Sequence, residues 1–328
     1  MTLVPPKIGV VAIGRNEGER LRACLQSVVE RSTLIIYVDS GSTDGSVILA
    51  RAAGCEVVEL NLQVPFTAAR ARNEGFRRLR QSAPELPYVQ FIDGDCEVVG
   101  GWVETATAFL DSHHDVAAVC GRRRERYPTR SIYNTLCDIE WDTPVGKARA
   151  CGGDAVMRTD AFAKIGGYRA DLIAGEEPEL CVRLRAAGWN VWRLGAEMTL
   201  HDAAMTRFSQ WWRRTVRNGY AFAEGVYLHG TPPERHYVRE SMRAWLWGIA
   251  LPLCSLLSIS AYSTWGLILL LPYPLQIMRL GLRNTGPIHR RALLAFFQLL
   301  ARFPESCGQI KFIHDLYRGR RSGLIEYK

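Results

Sequence analysis

The chain has 328 residues, 48% hydrophobic and 23% charged, with nine cysteines and a formal net charge of +8. That length suits one large domain or two smaller ones, and the composition excludes collagenous and intrinsically disordered classes. An odd cysteine count with no C-x-x-C pair argues against a disulfide framework or a zinc ribbon and suits a reducing compartment.

The first seven residues, Met-Thr-Leu-Val-Pro-Pro-Lys, show no apolar h-region, so no signal peptide is expected. The apolar run 8–13 reads as a first buried strand, and Leu21, Leu25, Val28 and Val29 give 19–30 helical spacing. A second strand over 34–38 ends at Asp39. Thr43-Asp44-Gly45 opens a helix through Ala53, and Val57-Val58 marks a third strand. A helix over 66–79, a fourth strand over 88–92, a helix over 102–110 and a fifth strand over 116–120 follow. Strands alternating with helices predict an α/β fold with a mainly parallel sheet.

From about 127 to 150 the pattern is irregular and reads as a loop-rich, acceptor-facing segment. Residues 176–187 look helical, with Gly188 as a C-cap. Short strands are expected over 190–194 and 197–200, and a helix rich in Trp and Arg over 206–227.

Ligands in open sheets of this kind bind at the carboxyl ends of the strands. Asn16-Glu17, Asp39 and Asp93-Gly94-Asp95 all fall at such ends. Two carboxylates one residue apart can hold a hard divalent cation, which in turn binds a diphosphate. Asp-Gly by itself is also ordinary turn chemistry, so the company of the other motifs carries the weight. No G-x-G-x-x-G and no P-loop appears, which counts against a dinucleotide dehydrogenase and a P-loop ATPase.

Five elements in order resemble the inverting family 2 glycosyltransferases with the GT-A, or nucleotide-diphospho-sugar transferase, fold. They are Ile13-Gly14-Arg15-Asn16-Glu17, the stretch from Val38 to Gly45, Ala69-Arg70-Ala71-Arg72-Asn73, Asp93-Gly94-Asp95 and Gly175-Glu176-Glu177-Pro178-Glu179-Leu180. The resemblance covers about residues 7–225 and implies a nucleotide-sugar donor, foremost a UDP-sugar, with Mn²⁺ or Mg²⁺ as cofactor.

It places Ala12, Arg15, Glu17, Asp39, Arg72, Asn73 and Asp93 around the nucleotide. It makes Asp95 the direct metal ligand, with His201 from a later strand as a further ligand and Asp93 on the ribose or a metal-bound water. For Asp39 a strand-end turn role stays open, as first-turn helix charge does for Glu17. An inverting transferase needs a base for the acceptor proton. Glu176-Glu177 occupies that place, with Glu177 matching the usual aspartate of the family. Gly153 and Asp154, in Cys151-Gly152-Gly153-Asp154, fall where such enzymes meet donor sugar and acceptor, although Asp154 also suits a turn. Trp212 and Arg213, in Gln210-Trp211-Trp212-Arg213-Arg214, loosely match the Q-x-x-R-W element of processive synthases. Their order departs from it, which weakens a processive reading.

Charge separates the two ends of the chain. Residues 1–242 carry 30 Lys+Arg and 30 Asp+Glu, whereas residues 243–328 carry 11 and 3. A basic tail around an apolar segment points to an anionic membrane surface, not to nucleic acid. The 35 residues 244–278 contain no Asp, Glu, Lys or Arg. A span needs about 20 apolar residues, so this segment holds one span with a tail or two short helices in a hairpin.

Arg239 and Arg243 before it, and Arg279, Arg283, Arg290 and Arg291 after it, suit a hairpin with both ends cytoplasmic. Pro252, Pro272 and Pro274 would break or kink helices, and Trp245, Trp247, Trp265 and Tyr273 suit interfacial belts. The apolar run 293–301 is too short to span and reads as interfacial. A buried helical subdomain is the alternative.

The expected organisation is a catalytic domain over 1–230 and a helical, membrane-associated region over 231–328. The expected activity is metal-dependent inverting sugar transfer at the cytoplasmic face of a membrane, to a lipid-linked, lipid or cell-surface glycan acceptor. A sugar nucleotidyltransferase would need a Gly-rich, Lys-containing phosphate loop near the first strand. A non-catalytic interaction protein would have no reason to keep Asp95, Glu177 and His201.

Overall fold

A computed structural model describes residues 7–262 and 264–319. The chain divides into two compact units, Met1–Thr206 and Arg207–Lys328. The first contains, in order, β1 (Ile8–Gly14), α1 (Glu19–Val28), β2 (Leu34–Asp39), α2 (Ser46–Ala52), β3 (Glu56–Glu59), α3 (Ala68–Ser82), β4 (Tyr88–Asp93), β5 (Cys96–Val98) and α4 (Trp102–Ser112). It continues with β6 (Val116–Glu125), α5 (Ile132–Glu140), β7 (Gly146–Ala148), β8 (Ala155–Arg158), α6 (Thr159–Lys164), α7 (Glu176–Ala186) and β9 (Asn190–His201).

One sheet runs β3-β2-β1-β4-β8-β6-β9-β5, with β7 on β9. Its first half is parallel: β1 pairs with β2 and β4, and β2 with β3. β1, β2 and β4 are continuous apolar runs because helices cover both faces. The other half is mixed. β8 is antiparallel to both β4 and β6, β9 is parallel to β6, and β5 is antiparallel to β9. All the parallel strands of the first half therefore end on one edge, where Asn16, Asp39 and Asp93 lie.

Two local expectations change, and the sheet has strands beyond those expected. The irregular stretch 127–150 contains α5, capped by the Ser131 hydroxyl accepting from Asn134 N at 3.0 Å, and the short strand β7. Residues 190–201 are one strand, not two, because β6 pairs along it through several register shifts. β8 is a full sheet member although it has only four residues.

The second unit contains α8 (Phe208–His229), α9 (Val238–Trp245), α10 (Leu251–Tyr262), α11 (Pro272–Arg283), α12 (Ile288–Leu300) and α13 (Arg302–Tyr317). The helix expected over 206–227 is α8 and belongs here, not with residues 1–206, since it packs along α13. A Cβ at Gly219 would collide with the Glu305 backbone, and one at Gly308 with Val216 O, so glycine on both helices permits their close approach. The apolar run 293–301 lies mostly in α12.

Two helical stretches, Val238–Ala261 and Thr264–Arg283, are long and apolar enough to cross a membrane. Only 11% and 6% of their apolar windows are buried, which disfavours a buried subdomain and leaves Leu256, Leu257, Trp265 and Leu275 on the surface. Pro272 opens α11, where a missing N–H costs no helical bond. Pro252 follows a π-helical turn, Leu246–Ala250, the kind of adjustment that lets a helix pass a proline.

Candidate active site

The first layer of the site is the loop edge after β1 and β2. Asn16, at φ 56°, accepts from Thr43 N at 2.7 Å and donates its own N–H to Ser42 Oγ at 2.9 Å. Asp39 Oδ2 accepts from Gly41 N and Ser42 N at 2.9 and 2.8 Å, and Tyr37 donates to Oδ1 at 3.1 Å. The buried Asp39 carboxylate thus shapes its own turn. Glu17 pairs with Arg20 at 2.6 Å, Arg15 is exposed beside it, and Ala12 is fully buried in β1 between Tyr37 and Ile92.

The second layer centres on Arg72. Its guanidinium is nearly inaccessible, with Nη2 2.8 Å from Asp93 and Nη1 3.1 Å from Glu177 and 3.3 Å from Glu176. β4 delivers Asp93, α3 delivers Arg72, and the N-terminal turn of α7 delivers both glutamates behind Gly175, whose φ of 77° favours glycine. A Cβ at Gly153 would collide with Arg72 Nη2 and lie 3.1 Å from Glu177 Oε1, so Gly153 makes room for this contact.

Burial, then the adjacent Glu176 carboxylate, push Glu177 up from 4.5 to about 7, against the pull of Arg72. A carboxylate titrating near neutrality suits a general base. The Glu177 side chain is 18% exposed and that of Glu176 only 4%, so Glu177 is the one open to a substrate. Asn73 is spent on the backbone of Tyr168, donating to its carbonyl at 2.7 Å and accepting from its N–H at 2.9 Å.

The third layer joins Asp95 to His201. β5 pairs with β9 so that Cys96 faces His201, which sets Asp95 Oδ1 3.3 Å from His201 Nε2. Burial, then the Arg123 cation, push His201 down from 6.5 to about 4, so the ring is neutral near pH 7. Its Nδ1 is buried without a hydrogen-bond partner. A buried neutral imidazole beside a carboxylate fits a divalent cation, and an O,N donor set suits Mn²⁺ more readily than Mg²⁺. Cys96 completes a close trio with them. Burial raises its thiol well above the usual range, and a soft sulfur suits a hard ion less well than the carboxylate does.

Asp154, expected to touch a sugar hydroxyl, is fully buried in a different role. It accepts from Thr199 Oγ1 at 2.8 Å and pairs with Arg123 at 2.8 Å, tying β9 and β6 to the turn that precedes β8. Trp212 and Arg213 lie on α8 of the second unit, where Trp212 packs against Phe208.

Arg123, Thr199, Trp141 and Tyr168 complete this part of the molecule and were not singled out from the sequence. Trp141 meets the His201 ring edge-on at 4.8 Å and carries Arg123 over its face at 5.4 Å. Arg122-Arg123-Arg124 is a run of three cations in β6. Register shifts in β6 on either side of Arg122 turn Arg122 and Arg123 inward while Arg124 stays exposed.

Residues 10–165 match the family model described as Glycosyl transferase family 2. A curated relative, glycosyltransferase AglE of Haloferax volcanii, is 22% identical over 329 residues, covering 95% of this chain and 98% of that protein. Among solved structures, mannosyltransferase PcManGT of Pyrobaculum calidifontis, in complex with GDP-Man and Mn²⁺, has a TM-score of 0.60 at 17% identity, covering 95% of this chain and 88% of that one. TarS 1–349 of S. aureus gives 0.51 at 13%, covering 95% and 92%. At such identities the structural likeness shows the fold, while the sequence match spans Asp39 and Asp95 beside the strand ends and Arg72 on α3. The motif order and the sheet therefore agree: residues 10–165 match the family 2 glycosyltransferases, and the fold is GT-A-like.

Proposed function

We propose that this glycosyltransferase moves a sugar, with inversion, from a nucleotide-diphospho-sugar to a hydroxyl of a lipid-linked, lipid or cell-surface glycan acceptor at the cytoplasmic face of a membrane. The observation that carries the reading is the Arg72 guanidinium shared by Asp93 and Glu177. It brings the donor-side Asp-Gly-Asp and the base within one residue of each other.

Glu177 takes the proton of the acceptor hydroxyl as that oxygen attacks the anomeric carbon. The bond from that carbon to the diphosphate breaks on the opposite face. Asp95 and His201 would hold the divalent cation, which supplies positive charge for the departing diphosphate. Asp93 and the loop of Asn16 and Asp39 would face the nucleoside.

The two exposed apolar helices support a membrane-attached acceptor, because confinement to a bilayer concentrates acceptor near the enzyme. The PcManGT complex contains GDP-Man. A screen should therefore set GDP-mannose beside the UDP-sugars, reading nucleotide release with Mn²⁺, with Mg²⁺ or with neither, and with or without membrane lipid extract. Release that needs both metal and lipid extract is expected. Release unaffected by metal removal, or absent with every nucleotide sugar, overturns the proposal.

A further inference from the structure

We infer that Arg72 is a positioning residue for the transfer base, orienting the Glu177 carboxylate and keeping it ready for the acceptor proton, and is not a contact to the donor nucleotide. This rests on Glu177 being the base.

The guanidinium is committed in three directions to protein carboxylates, Asp93, Glu176 and Glu177. Its surroundings are built for that purpose. Tyr168 lies beneath it at 5.5 Å, and Asn73 clamps the Tyr168 backbone from both sides. Gly153 leaves the gap that Nη2 fills. A planar fork can serve several carboxylates at once, whereas a lysine is a point charge on a flexible stem.

Glu177 is surrounded by both signs. Arg72 and Arg123 are the cations near it, Glu176 and Asp93 the anions, and Tyr168, Cys151 and Cys181 further titratable neighbours. Without Arg72, two anions remain close to Glu177 with one less cation to oppose them, and Glu177 keeps its proton to higher pH. Its carboxylate also loses its anchor. Both changes act on proton transfer, while Asp93, the nucleoside-facing partner of Arg72, stays in the chain at the end of β4.

The test uses the full chain, with GDP-mannose or whichever UDP-sugar the donor screen selects, and R72K, R72Q and G153A variants. kcat, donor KM and the affinity for the corresponding nucleoside diphosphate are measured between about pH 5.5 and pH 9. In R72Q the acid limb of the kcat profile should move up by about one unit, and kcat at neutral pH should fall at least about tenfold. Donor KM and nucleoside diphosphate affinity should stay within about threefold of wild type.

R72K should lose kcat with a smaller limb shift, since charge remains but the fork does not. G153A displaces the guanidinium without removing it and should move kcat and the limb in the same direction. If R72Q does not fold, R72K carries the test, since a Cβ at Gly153 also presses on Glu177 Oε1 directly. An unmoved limb in every folded variant, or a loss confined to donor KM or nucleoside diphosphate affinity, overturns the inference. An E177Q variant separates the two claims. If E177Q stays active with the wild-type limb, the base assignment has failed. If E177Q is inactive while the Arg72 limb is unmoved, only the role of Arg72 has failed.

Discussion

Asp95 Oδ1 stands 3.3 Å from His201 Nε2 because the antiparallel pairing of β5 with β9 sets Cys96 opposite His201. Two residues 106 positions apart in sequence thereby form a compact O,N pair from rigid strand ends, the kind of placement a metal site needs. Asp95→Ala should abolish Mn²⁺ binding by calorimetry or electron paramagnetic resonance, and transfer should fall at least about hundredfold, since losing the cation removes several kcal/mol of transition-state stabilisation. The circular dichroism spectrum should not change. Full activity of the native enzyme in excess EDTA would remove the metal assignment.

Glu177→Gln should retain donor binding and lose transfer, with Glu176→Gln milder. Glu177 sits at about 7, so activity should rise with pH through neutrality as the base deprotonates. Stability should move the other way. A folded-state value raised from 4.5 to about 7 means the native chain binds more protons than the unfolded one within that window. Stability therefore falls as pH rises from about 4.5 to about 7, and Glu177→Gln should flatten that part of the curve. Denaturant titrations across the range measure it. Greater damage from Glu176→Gln would show that the base is the neighbouring residue.

Asp154→Ala should act on the fold. Removing the carboxylate leaves Arg123 and Thr199 buried without it, which typically costs about 3–5 kcal/mol for a buried ion pair broken from one side. Thermal or denaturant unfolding reads this directly. A variant as stable as wild type but weaker for donor or acceptor would restore the sugar-binding role expected from the sequence.

The full chain should remain with membranes through high-salt and carbonate washes and leave only with detergent. Salt screens the basic flanks at Arg239, Arg243, Arg279 and Arg283, whereas two inserted apolar helices are indifferent to it. Release by salt alone would mean a surface-bound helix. A chain soluble without detergent would make a soluble acceptor the better substrate class.

The sequence alone determined the parallel half of the sheet. Apolar runs over 8–13, 34–38 and 88–92 alternate with helical spacing, and doubly buried strands leave few other arrangements. It also placed Asp39, Asp93 and Asp95 at strand ends and marked the uncharged stretch 244–278, because a run of residue types is enough to see these. Only the tertiary structure decided the rest. β8 and β7 are too short to show a period of their own and are held by their neighbours, and α5 lies inside a stretch that read as irregular. Arg72 and Asp154 matched motif positions, yet whether such a side chain meets a ligand or another residue depends on what lies across the fold. Arg72 meets Glu176 and Glu177 from a helix about a hundred residues away, and Asp154 meets Arg123 and Thr199 from two other strands. Contacts made over such separations are set by sheet order and register, which local spacing does not encode.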